Sequence, residues 1–149
     1  MNSPYQKLAI VITINAVIMF FVGFTLIDTI EHFRFNINRV YMTLLMVAPM
    51  VVLMVLVMGS MYKNQQLNYI LIASFIGLFA LIFFFTRTQT AVGNEPFLRS
   101  MIPHHSGAIT MCEEANITDD QILELCEEIV ETQKREIAEM EEILARLNE

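Results

Sequence analysis

"VYMTLLMVAPMVVLMVLVMGSM" (Val40–Met61) runs from end to end without a charged residue. A helix needs roughly 17–25 consecutive apolar residues to cross about 30 Å of hydrocarbon, so this run is long enough to span a bilayer. Two comparable runs flank it, Leu8–Ile27 before and Tyr69–Phe85 after, the last at the short limit. Of the chain's 149 residues 55% are apolar, and they crowd into the first 85 positions. The pattern predicts an all-α integral membrane protein. Its membrane domain covers residues 1–85 (spans at about 8–27, 40–61 and 69–85), followed by a linker at 86–94 and a water-soluble part at 95–149. One lysine, Lys7, precedes the first run, but no small-x-small cleavage site follows it and the run exceeds an h-region. It therefore reads as a span and not as a signal peptide. Neither end carries a lipidation motif.

Charge divides the chain at the same place. Residues 1–94 hold five Lys/Arg against two Asp/Glu, a net +3; residues 95–149 hold four against fourteen, a net −10. Such a negative field repels nucleic acid and attracts cations, and most of the carboxylates read as a solvated helix face. Cys112 and Cys126 lie in the acidic part, fourteen apart, matching neither a zinc spacing nor a redox CxxC pair. Free thiols, one disulfide and metal ligation all stay open at this point.

Between the first two spans lies "DTIEHFRFNINR" (Asp28–Arg39), where Asp28 and His32 stand four apart, on one face if the segment is helical. That pair reads as a juxtamembrane polar cap, with a minor cation site as the alternative. The second span carries methionine at 42, 46, 50, 54 and 58, with another at 61. Flexible thioethers pack helices well and also suit Cu(I), so packing and an ion conduit are both readings of this stripe. Pro49 removes a helix hydrogen bond and predicts a kink. After the linker, helical periodicity predicts one helix from about Pro96 to Ala115, a turn at "NITDD", and a second helix to about Leu147. Thr118 followed by Gln121 fits a capping box at the start of that second helix.

The chemistry concentrates in "FLRSMIPHHSGAITMCEEA" (Phe97–Ala115). At 100° per residue, Phe97, Met101, His104, His105, Ala108, Met111 and Cys112 share an arc, which predicts a soft, small-residue face turned inward. Pro103 would open the turn near Arg99. The second helix has an apolar stripe including Ile122, Leu125, Cys126, Ile129, Met140, Ile143, Leu144 and Leu147, interrupted by Gln133 and Glu136. A hairpin folded about residues 117–118 sets that polar pair beside Met101 and His104, so one site would account for both anomalies. Thioethers with imidazole suit a soft ion, Cu(I) or Ag(I); zinc fits less well. The Glu-x-x-His pair of di-iron bundles and the HExxH helix are absent, and no nucleophile has an orienting base nearby. The reading is therefore a binder and not an enzyme. A buried polar network with the methionines as core is the alternative.

"MIPHHSGAITM" at Met101–Met111 and "QKREIAEM" at Gln133–Met140 resemble the domain of unknown function family 305, whose pattern is M-I-P-H-H-x-x-A-x-x-M followed by Q-x-x-E-I-x-x-M. The resemblance covers roughly Glu95–Leu147. It implies a ferritin-like helical fold and, as in some members that bind copper or silver, a role in metal homeostasis or tolerance. By the same resemblance Met101, His104, His105, Met111 and Met140 are implied ligands, with Gln133 and Glu136 in support. Ferritin-like bundles have four helices and this segment supplies two, so the expectation is a homodimer forming a four-helix bundle. The competing function is a structural or regulatory membrane protein whose hairpin mediates dimerisation or partner binding. Expected partners are a lipid bilayer, a second copy and a metal ion. Lys7 and Lys63 against Arg34, Arg39, Arg87 and Arg99 lean toward an internal hairpin. The exported character of metal-tolerance relatives leans the other way. The expectation adopted is a bacterial inner membrane with the hairpin periplasmic.

Overall fold

A computed structural model describes residues 3–148. The first two residues and the last, which the predicted domains 1–85 and 95–149 include, lie outside the described residues. Among the described residues the chain is all-helical: α1 (Pro4–Val22), α2 (Ile37–Val57), α3 (Gln65–Thr88), α4 (Asn94–Glu114) and α5 (Asp120–Leu147), with a single 3-10 turn at Ile30–His32. The expected class, three apolar helices followed by two more, is what the structure contains. α1, α2 and α3 are each long and apolar enough to cross a membrane.

Two compact units divide the chain, one formed by the segment up to Val22 with Asn38–Thr90, the other by Gly23–Ile37 with Ala91 onward. In the first, Leu8, Val55 and Tyr62 form a small core, with Tyr5, Met54 and Leu71 packed against it. Its ends are tied by polar contacts: the Tyr5 hydroxyl donates to Asn68 Oδ1 at 2.9 Å, and Asn68 Nδ2 donates to the Tyr62 carbonyl at 2.7 Å. The Asn64 side chain caps α3 by accepting from the Leu67 N–H. α2 continues through Pro49 as one helix, and its buried line is Val47, Ala48, Val51 and Val55. Met42, Met46 and Met58 are exposed. The stripe thus winds round α2, from the open side at Met42 and Met46 to the core contact of Met54.

α3 runs on to Thr88 and ends with Gln89 in the left-handed region at φ 50°, its N–H returning to the Phe85 carbonyl. In the second unit α4 and α5 form an antiparallel hairpin around Leu98, Ile102, Ile109, Ile137, Met140 and Leu144. The cap of α5 is Asp119, one residue later than the predicted Thr118–Gln121 box. Its carboxylate accepts from both the Gln121 and Ile122 N–H groups. A carboxylate can take both bonds and also meets the positive end of the helix, an advantage a hydroxyl lacks.

Candidate functional site

α4 turns a different line inward from the predicted one. The buried residues are Leu98, Ile102, Pro103, Ser106 and Ile109. His104 and Met111 face solvent, Met111 with 62% of its surface exposed, and Phe97 is half-exposed. The predicted arc is centred on the sulfur and imidazole groups. The aliphatic line Leu98–Ile102–Ile109 is one residue further round, and it has the larger hydrophobic gain on burial.

The register also differs. Cys112 pairs with Cys126 in a disulfide whose Cα atoms are 5.3 Å apart, and His105 meets Glu136. Met101 therefore lies opposite the Met140 region and not Gln133, a register in which Ile102 and Ile109 pack with Ile137. Met101 packs on the cluster that contains Met140. His105 Nε2 is 2.9 Å from Glu136 Oε2, and its Nδ1 is 2.9 Å from the Met101 carbonyl oxygen four residues back. The carbonyl can only accept, so Nδ1 is the donor in that bond. Gln133 is half-buried.

Of the seven predicted residues, the single chain gathers Met101, His105, Glu136 and Met140 at the α4–α5 seam, leaves Gln133 beside it, and turns His104 and Met111 outward. Among the described residues no group of three or more His, Cys, Asp or Glu side chains is placed to hold a metal ion. A closed zinc-type set of those ligands is thus not assembled among the described residues.

The segment between the first two spans proves to be part of this unit, and sequence reasoning missed its role. Asp28 and His32 do not share an α-helical face: Asp28 precedes Thr29, the N-cap of the 3-10 turn, and His32 is that turn's last residue. The Asp28 N–H donates to Ser106 Oγ at 2.7 Å, and His32 Nδ1 is 2.8 Å from the same oxygen. Ser106 is fully buried. Its hydroxyl accepts from Asp28 and has its own hydrogen left for His32, so all three polar groups are satisfied at once. Next to it, a Cβ on Gly107 would sit 3.7 Å from Leu26, in ordinary contact. Further along, Arg34 Nη2 pairs with Glu141 Oε1 at 2.9 Å. The signal was present in the sequence: Ser106 and Gly107 are a small polar–small pair on a helix that otherwise buries aliphatics. On the surface, Lys134 donates to Glu113 at 2.9 Å, and that bond holds the lysine ammonium above its ordinary pKa.

Three comparisons with known proteins bear on this arrangement. The domain of unknown function DUF305 matches residues 82–144. An uncharacterized protein of Acanthamoeba polyphaga mimivirus is 36% identical over 119 residues, covering 78% of this chain and 76% of the relative. No solved structure matches.

Proposed function

The chain belongs to the DUF305 family, and from that premise we propose that it is a membrane-anchored binder of a soft monovalent cation, Cu(I) or Ag(I), serving metal homeostasis or tolerance. What supports the reading is that Met101 packs on the core that contains Met140, and that His105, one turn further along α4, reaches Glu136 across the same pair of helices. Soft sulfur and one nitrogen are a donor set that favours Cu(I). Met101, His105 and Met140 would hold the ion, which supplies only its charge and its preference for sulfur. Glu136 would orient the ring as a partner of the imidazole does in other metal sites. The hairpin acts on the oxidising side of the membrane, equivalent to a periplasmic face; the Cys112–Cys126 disulfide supports this, since such bonds persist in oxidising compartments.

Anaerobic Cu(I) titration of the full chain in detergent, against a competing chelator, tests the reading. Met101→Ala with His105→Ala is expected to weaken binding at least tenfold, and equal affinity in both proteins rejects the site. A second reading, a non-metal structural or regulatory protein, is favoured by one feature. Both nitrogens of His105 are already engaged, as suits a cross-brace between two helices. Unchanged Cu(I) affinity together with lowered hairpin stability in His105→Ala would select it.

A further inference from the structure

The Cys112–Cys126 disulfide lies in a groove at the tip of the hairpin. One wall is a single stripe of α5: Leu123, Cys126, Glu127, Val130 and Glu131. The other is the last turn of α4, with Cys112 and Glu113. The groove encloses about 370 Å³, room for a short carbon stem beside the sulfurs. Both cysteines are half-buried and stand outside the aliphatic core of the hairpin, so the bond can be approached from solvent. Leu123 and Val130 give the groove apolar surface, and Glu113, Glu127 and Glu131 give it a negative rim. Lys134 offsets Glu113 at 2.9 Å. Among the described residues no salt bridge reaches Glu127 or Glu131, and both are exposed.

We propose that this groove is a thiol–disulfide exchange site, and that it takes a dithiol partner whose attacking thiol is flanked by positive charge. Exchange needs a thiolate to reach one sulfur of the bond, so access and local charge set its rate. The attacking group is an anion, and it must approach past Glu127 and Glu131. Further negative charge on the reagent is opposed there, and positive charge is drawn in. A cation beside the thiol offsets the charge of its own thiolate and finds carboxylates to pair with, while the carbon stem rests against Leu123 and Val130. In the first step the partner's thiolate bonds to one cysteine sulfur. The S–S bond breaks with its electron pair on the other sulfur, which takes a proton from water. The partner's second thiol then loses its proton and displaces the mixed disulfide, and the released cysteine is protonated in turn. The partner leaves as a disulfide, two electrons and two protons having passed to Cys112 and Cys126. The site stands whether or not a metal binds near Met101.

Three small thiols of similar size, applied to the full chain in a nonionic detergent, test this: cysteamine, 2-mercaptoethanol and 2-mercaptoethanesulfonate. Their thiolate forms are neutral overall, singly negative and doubly negative. Loss of the disulfide is read by mass after alkylation. The rate ratio of cysteamine to mercaptoethanesulfonate is compared between proteins, so that each reagent's own reactivity cancels. At about 0.1 M salt, where the Debye length is about 10 Å, Glu127→Gln/Glu131→Gln is expected to lower that ratio about threefold. In about 1 M salt, where the Debye length is about 3 Å, wild type is expected to approach the variant. The control Glu139→Gln/Glu142→Gln removes the same charge about 20 Å or more along α5 from Cys126, at about 1.5 Å per residue, and is expected to match wild type. Helicity by circular dichroism is expected to be the same in all three proteins. An unchanged ratio in the groove variant, an equal fall in the distal control, or a disulfide that none of the thiols reduces in the folded chain overturns the proposal.

Discussion

Ser106 shows how one buried hydroxyl can tie two distant parts of the chain together. It has no exposed surface, and two groups 74 and 78 residues away in sequence converge on its oxygen. Replacing it by alanine leaves the Asp28 N–H and the His32 ring without that partner, which costs about 1–3 kcal/mol when the groups cannot reach water. Ser106→Ala is therefore expected to lower the stability of the hairpin unit by that order, read from denaturant unfolding followed by circular dichroism. By contrast His105–Glu136 is partly wet, with 42% of the Glu136 side chain exposed. Its contribution is discounted for screening, and Glu136→Gln is expected to change stability by less than about 1 kcal/mol. A loss of several kcal/mol there would mean that the ring is held in a much drier setting than the structure describes.

The helical hairpin is held at its tip by two local devices. Asp119 satisfies two N–H groups at the start of α5, so Asp119→Ala is expected to cost about 1 kcal/mol. The Cys112–Cys126 bond closes a loop with a sequence separation of 14. Cross-links of that span stabilise by about 3 kcal/mol through the unfolded chain. Reduction, or Cys112→Ser with Cys126→Ser, is expected to lower the unfolding midpoint accordingly, with helical content kept at low temperature. Helix α2 teaches a different lesson. Its methionines were conspicuous in the sequence, yet valine and alanine form the packed line, because an even spacing of four drifts round the helix and cannot stay on one face.

At the scale of the whole molecule, the make-up of the second unit bears on how often the chain can cross a membrane. Gly23–Ile37 and the segment from Ala91 onward form one compact unit, and two apolar helices, α2 and α3, separate them in sequence. An even number of crossings returns the chain to the side it left, so both segments share a side if α2 and α3, each long and apolar enough to cross, both span. The turn between α2 and α3 then belongs to the opposite side. A membrane-impermeant maleimide is expected to label Lys63→Cys and Glu128→Cys from opposite faces of sealed vesicles. Labelling of both from one face would mean that α3 does not span.

Much of this was legible in the residues themselves. Length and apolarity determine three helices able to cross a membrane, because hydrocarbon tolerates only a backbone that satisfies its own hydrogen bonds. Periodicity and the Asp-rich turn determine a two-helix hairpin with its cap placed to within one residue. The paired histidines and their sulfur neighbours mark the helix on which chemistry is concentrated. Which side of α4 would be buried was left to tertiary packing. Two lines one residue apart differ by only 100°, and a helical wheel cannot rank them before the partner helix is in place. The same holds for the register that sets Met101 near Met140, for the disulfide, and for the docking of Asp28 and His32 on Ser106. Each depends on contacts between residues far apart in sequence, whose energies exist only after the chain has closed on itself.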